Sequence, residues 1–185
     1  MAGIRRVIVG VSGSPGSVRA LRYAAQVACD DEVSLIAVLA WVPPGGDLAE
    51  RRSPSLYLRD LWQEAASQRL TEALAAAWGD HRIERPMRRI IARGEPGTVL
   101  VSVADEPEDL IVVGAGEQAP VKRLWHGRVA RYCLAHASCP VLAIPPSPLV
   151  RQAQGLRRLG RTRRRLDPGE LLRGDQQPTR REHGV

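Results

Sequence analysis

The sequence predicts an α/β domain built on an open parallel sheet, and three observations carry that expectation. Short apolar runs of strand length alternate with segments whose apolar residues recur at helical spacing. The main runs are apolar throughout rather than at alternate positions, as strands covered on both faces are. Clusters of Gly, Pro and Ser separate one segment from the next. Strands joined through helices pair in parallel with right-handed crossovers.

Ile4–Val11 is the first strand, stopped by Ser12-Gly13-Ser14-Pro15-Gly16. Ser14 has the side chain of an N-cap and Pro15 suits the first helical position. The helix Ser17–Cys29 follows, with Val18, Leu21, Ala24, Ala25 and Ala28 on one face. Val33–Val42 is a second buried strand, and Pro43-Pro44-Gly45-Gly46 opens a loop reaching about Pro54. The longest helix is expected over Leu56–Trp78, where Leu58, Leu61, Trp62, Ala65, Leu70, Leu74 and Ala77 keep helical spacing. Arg88–Ala92 is a short strand, Thr98–Ala104 a short helix, and Leu110–Val113 a buried strand ending at Gly114. A glycine-containing loop leads to a helix near Gly127–Ala137, and the last strand, Val141–Ile144, lies between Pro140 and Pro145.

Charge divides the chain unevenly. Residues 1–145 hold 17 basic and 16 acidic side chains, whereas 146–185 hold ten arginines and four acids. The excess of +7 therefore belongs mainly to the end of the chain, where large apolar residues are few. The expected organisation is a domain over 1–146 and an Arg-rich, disordered tail over 147–185. No stretch approaches the ~20 apolar residues of a membrane span. Met1–Arg6 runs into a strand without a charged-then-apolar leader, so an unexported, cytoplasmic chain is expected. Cys29, Cys133 and Cys139 lack metal-ligand spacing and are read as buried, reduced thiols.

Ligands of open parallel sheets sit beyond the carboxyl ends of the strands, where strand order reverses. Two loops qualify, Val11–Gly16 and Gly114–Gly127. Loop-to-helix junctions of this kind offer N–H groups and a positive dipole end to anions. Neither loop has a Walker A or Gly-x-Gly-x-x-Gly pattern, and structural turns explain the glycines equally well.

A family resemblance enters through the opening Val7-Ile8-Val9-Gly10-Val11-Ser12-Gly13-Ser14-Pro15-Gly16-Ser17 with Ala20-Leu21-Arg22-Tyr23-Ala24. It continues through Gly94-Glu95-Pro96, Asp109-Leu110-Ile111-Val112-Val113-Gly114 and His136-Ala137-Ser138-Cys139-Pro140-Val141-Leu142. In this order, over about residues 4–145, the chain resembles the universal stress proteins. The resemblance implies a Rossmann-like, adenine-nucleotide α-hydrolase-like sheet of five parallel strands in the order 3-2-1-4-5. It also implies a homodimer through the last strand, Val141, Leu142, Ala143 and Ile144, whose exposed edge needs covering.

Nucleotide-binding members of that family carry Gly-x-x-Gly, nine residues, then Gly-Ser or Gly-Thr. Laid on this chain, the outer glycines are Gly114 and Gly127, but Glu117 replaces the second glycine and Arg128 the final Ser or Thr. Ser12 stands where those members typically have Asp, while the implied adenine strip near Val11 and Ala40-Trp41 stays apolar. Glu117 adds a side chain and a negative charge where backbone would approach phosphate. Arg128 could clamp a phosphate, or pair with Glu117 so that the protein's own carboxylate fills the phosphate position. Both residues could equally be solvated. ATP, the one cofactor in view, is expected to bind weakly or not at all, and no metal site is expected.

The remaining polar candidates have plainer readings. Ser14 and Ser17 lack a placed base and read as capping residues. His126 reads as a solvated loop residue, His136 as a helix-end cap, and Trp125 as a plug beside the loop. With these plainer readings, the resemblance implies a non-enzymatic stress-response or regulatory module. Two further readings stay open: nucleotide binding through a loop rebuilt around Arg128, and polyanion or nucleic-acid binding by the Arg157–Arg165 cluster of the tail.

Overall fold

The computed structural model describes residues 3–30, 32–79, 86–115, 123–145 and 147. Apart from Ser147, the Arg-rich tail, with the Arg157–Arg165 cluster, lies outside the described residues. Ten elements follow one another: β1 (Arg6–Gly10), α1 (Pro15–Val27), β2 (Ser34–Trp41), α2 (Gly46–Arg52), α3 (Leu56–Trp78), β3 (Met87–Arg93), α4 (Pro96–Val103), β4 (Asp109–Gly114), α5 (Arg123–His136) and β5 (Val141–Ile144). The strands form one sheet in the order β3-β2-β1-β4-β5. All four pairings are parallel, as the alternation of strand and helix requires.

The unbroken apolar runs are explained by cover on both sheet faces. Successive strand side chains point to opposite faces, and here the two sets enter two different cores. Val7, Val9, Leu35, Ala37, Leu39 and Val112 pack with Leu21 and Ala24 of α1 and Leu70 and Leu74 of α3. Ile8, Ile36, Val38, Ile111 and Val113 pack on the other side with Val99 and Leu100 of α4 and Ala130 and Cys133 of α5. Val7, Ile8 and Val9 are completely buried, which places β1 at the centre of the sheet.

Local signals set several helix ends. Ser14 accepts a hydrogen bond on its Oγ from the Ser17 amide at 3.2 Å, and Pro15 begins α1. Ser55 Oγ accepts from the Leu58 amide at 3.3 Å at the start of α3, whose C-cap is Gly79 at φ 60°. Arg22 of α1 donates to the carbonyls of Ala77 and Ala76 at 2.8 and 3.0 Å. A cation on the last carbonyls of α3 complements its dipole and ties the two helices of that layer together.

The segment expected as a loop to Pro54 contains α2, and the reason is tertiary. Glu50, on α2, is buried at 6% exposure. Its Oε1 accepts from Arg59 Nε and Nη2 at 3.1 and 3.0 Å, and its Oε2 forms an ion pair with Arg93 Nη2. Asp47 accepts from the same Arg93 Nη2 at 2.6 Å, which holds the Asp47 carboxyl below its ordinary range. Two arginines from α3 and β3 thus hold a seven-residue helix that has too few residues to form alone.

Cys133 and Cys139 are buried as expected, but Cys29 is exposed because α1 ends two residues before it. Burial pushes the Cys133 thiol up to about 11, so it stays protonated at neutral pH. Among the described residues, no helix is long and apolar enough to cross a membrane.

Candidate functional site

Strand order places β1 between β2 and β4, so the chain leaves the sheet in opposite directions around the end of β1. A cleft of about 300 Å³ opens there, at the position where open parallel sheets bind ligands. Gly10, Val38, Ala40 and Val113 supply strand-end positions, and Pro96 and Leu100 of α4 and Val129 of α5 supply one wall. The loop after β1 and the first turn of α1 supply Val11, Ser12, Ser14, Gly16 and Ser17.

The hydroxyls of this rim bond mainly to one another and to the nearby backbone. Ser12 Oγ and Ser14 Oγ are 3.0 Å apart. Ser14 Oγ also accepts from the Ser17 amide, while Ser17 Oγ donates to the Ser14 carbonyl at 2.8 Å. The Val18 amide donates to that same carbonyl at 3.0 Å. Pro15 has no N–H to offer. The Ser17 and Val18 amides at the first turn of α1 are therefore both engaged by Ser14.

Glycines at the cleft have distinct physical reasons. A Cβ on Gly114 would lie 2.8 Å from both C and O of Gly16 and 3.2 Å from the Ser17 nitrogen. The end of β4 thus touches the backbone of α1, and only a residue without a side chain permits that approach. A Cβ on Gly10 would instead meet Leu100 Cδ1 at 2.9 Å, the tip of a movable side chain.

Of the residues singled out in the sequence, the structure brings Val11, Ser12, Ala40 and Gly114 together around the cleft. It does not bring Trp41 there. One residue beyond Ala40 on the same strand, Trp41 faces the opposite layer, with its ring centroid 6.4 Å from that of Trp62. Gly127 and Arg128 lie within α5, and Arg128 is exposed. Glu117 lies outside the described residues, as do the side chains of Trp125 and His126. His136, expected near the end of the last helix, closes α5, with Nδ1 2.9 Å from the Tyr132 carbonyl and its ring stacked on Tyr132. Val38, Val113 and Leu100 were not singled out. The period of two along β2 would have found Val38 from Ala40, whereas Leu100 arrives from a helix far along the chain.

A parallel sheet in the order 3-2-1-4-5, with an apolar cleft at its switch point, defines a Rossmann-like α/β domain. The family model of the universal stress proteins matches residues 3–145. The chain belongs to the universal stress protein family. It is 32% identical over 136 residues to universal stress protein Rv2005c of Mycobacterium tuberculosis, covering 74% of this chain and 44% of that protein. The chain thus spans less than half the length of this relative. It is 30% identical over 145 residues to universal stress protein MJ0531 of Methanocaldococcus jannaschii, covering 76% of this chain and 81% of the relative. The solved universal stress protein UspA from Lactobacillus plantarum shares the fold, with a TM-score of 0.57 and 23% identity over 78% of this chain and 99% of that one.

Proposed function

We propose that this chain is a non-enzymatic, cytoplasmic stress-response module whose cleft receives an adenine-type ligand and holds ATP only weakly. The observation that carries the reading is the self-bonded first turn of α1. Ser12 and Ser14 share one hydrogen bond and Ser14 and Ser17 exchange two more, which leaves fewer donors for an anion than an open helix N-terminus has. Of the two departures in the glycine loop, Glu117 acts in the same direction and Arg128 against it. Glu117 adds negative charge where nucleotide-binding relatives present glycine, and Arg128 replaces the final hydroxyl and offsets that charge. Family membership supports a regulatory role, and Ser14 serves as a helix cap rather than a nucleophile. A cytoplasm would keep the free thiols reduced.

Calorimetric titration with ATP and Mg²⁺ tests the reading. The expected dissociation constant is millimolar or weaker, equivalent to no more than about 4 kcal/mol of binding. Micromolar ATP binding overturns it, and loss of that binding in Arg128→Ser would place the phosphates at a rebuilt loop.

The same reading includes a homodimer through β5. The two sheet edges differ in charge: β3 carries exposed Arg88 and Arg89, a common guard against edge pairing, whereas β5 is Val141-Leu142-Ala143-Ile144 without a charge. Light scattering should give twice the chain mass for the wild type and a single chain mass for Ala143→Arg. A monomeric wild type would exclude the dimer.

A further inference from the structure

Among the described residues, five of the ten exposed large apolar side chains stand at one corner of the molecule: Leu48 on α2, and Leu56, Tyr57, Leu58 and Leu61 at the start of α3. Leu48, Leu56 and Tyr57 are each about three-quarters exposed and Leu61 about half. The length of α3 is the reason. Its fully buried side chains begin at Ala66, so the ten residues before it, about 15 Å of helix, project past the core. Two contacts hold them: the partly buried Trp62 leans on Trp41, and Arg59 bonds to Glu50 of α2. A clustered apolar surface of this kind marks a place of association.

The charges around the corner select the partner. Asp47 and Glu50 are already paired with Arg93 and Arg59; the other charged side chains of the two segments, Arg51, Arg52, Asp60 and Glu64, are exposed. On α2, Arg51 and Arg52 follow Leu48 by three and four residues and so share its face. On α3, Tyr57 and Leu61 are one turn apart, and Asp60 and Glu64 run beside them at the same spacing. One apolar strip is therefore bordered by cations and the other by carboxylates. The carboxylates oppose an anionic lipid surface and the arginines oppose a basic partner, whereas a two-fold axis brings the α2 side of one copy to the α3 side of another. We infer that this corner is a contact between two copies of the chain. Leu48, Tyr57 and Leu61 form its centre, and Arg51 and Arg52 of each copy face Asp60 and Glu64 of the other.

The contact is separate from the β5 edge. α3 shares its core with Met87 and Ile91 of β3, at the opposite end of the sheet from β5. It is also weak, because a few side chains per copy fall short of the roughly 20–30 residues a side of a stable interface. A dissociation constant on the order of 0.1 mM is expected, so masses measured at micromolar chain are not changed by it.

Sedimentation equilibrium of the full chain, from about 10 μM to about 1 mM, tests the inference. The weight-average mass is expected to rise about 1.5-fold over that range at low salt, and less in NaCl, which screens exposed charges. Leu61→Asp should remove the rise while circular dichroism reports a folded chain. Arg51→Glu with Arg52→Glu in one chain, and Asp60→Arg with Glu64→Arg in another, should each remove it by setting like charges face to face. An equimolar mixture of these two variants should restore it, because their contacts are again opposite in sign.

No rise in the wild type, a rise that survives in a folded Leu61→Asp chain, or no recovery in the mixture overturns the inference. So does binding to phosphatidylglycerol vesicles without self-association, which would give the corner to a lipid surface. The Ala143→Arg chain should keep the same fractional rise, so loss of the β5 dimer and loss of this contact are read separately. The concentration series on the wild type holds even where a variant does not fold.

Discussion

Replacing Arg6 with methionine is expected to lower the unfolding free energy by about 3 kcal/mol, read as a drop in urea midpoint without a change in m. Asp109 is the reason. Its side chain is completely buried, and it accepts from Arg6 Nε at 2.6 Å and from Arg6 Nη2 at 2.5 Å, one bond on each carboxylate oxygen. The Glu106 amide donates a third bond at 3.0 Å. Arg6 and Asp109 are register partners on β1 and β4, so the pair clamps the strand starts opposite the cleft. Removing the guanidinium leaves a buried carboxylate with one amide donor, and breaking such a pair costs about 3–5 kcal/mol. The low end applies because the Arg6 side chain is 31% exposed, so solvent already screens part of the interaction.

Asp105 takes another bond from the same Arg6 Nη2 at 2.6 Å but is itself 66% exposed. Asp105→Asn should therefore cost far less. Arg6 holds the Asp105 carboxyl below its ordinary range. The sign follows from the lowered folded pKa: whatever this pair adds is present above the unfolded carboxylate pKa and fades as pH falls through the folded one. Arg6→Met combined with Asp109→Leu should recover part of the loss, because an apolar pair carries no desolvated charge. A cost for Arg6→Met below about 1 kcal/mol would mean that the pair behaves as a surface salt bridge.

Gly114→Ala is expected to cost about 1–3 kcal/mol, the range for an overpacked interior, and to reshape the cleft. The added methyl meets backbone atoms of Gly16 at 2.8 Å, and backbone at the first turn of a helix cannot rotate away. α1 must shift outward, which loosens Leu21 and Ala24 from the sheet. Gly10→Ala makes a useful contrast, since its nearest obstacle is the Leu100 side chain at 2.9 Å, which has other rotamers. Chemical denaturation of both variants should rank Gly114→Ala as the more damaging. Equal costs would show that the close approach at Gly114 is not the controlling contact.

Elements bounded by strong local chemistry were legible from residues alone. α3 spans Leu56–Trp78 as its periodicity predicts, because Ser55 caps one end and Gly79 closes the other. β5 is Val141–Ile144, as expected of a short apolar run between two prolines. α2 was not legible, since its Pro- and Gly-rich start reads as a break and its stability comes from Glu50 meeting Arg59 and Arg93. The site divides in the same way. Val11, Ser12, Ala40 and Gly114 line the cleft; Val11, Ser12 and Gly114 are visible as strand ends in the sequence, whereas Ala40 came from the family resemblance. Trp41 was grouped with Ala40 as its neighbour, yet adjacent strand residues face opposite layers.

The amino-acid pattern alone was enough to specify a parallel α/β domain, its family, and the strand ends around which a cleft would form. Apolar periodicity and turn residues act over a few neighbours, so they survive in a linear reading. The purpose of each residue at the cleft was decided only by tertiary contacts. Gly114 looked like part of a phosphate loop, but its missing Cβ is what lets α1 touch β4. Ser14 looked like a cap, and in the fold it also bonds to both Ser12 and Ser17 along the rim. Hydrogen-bond partners and close approaches are made between segments distant in sequence, and those distances exist only once the chain has folded.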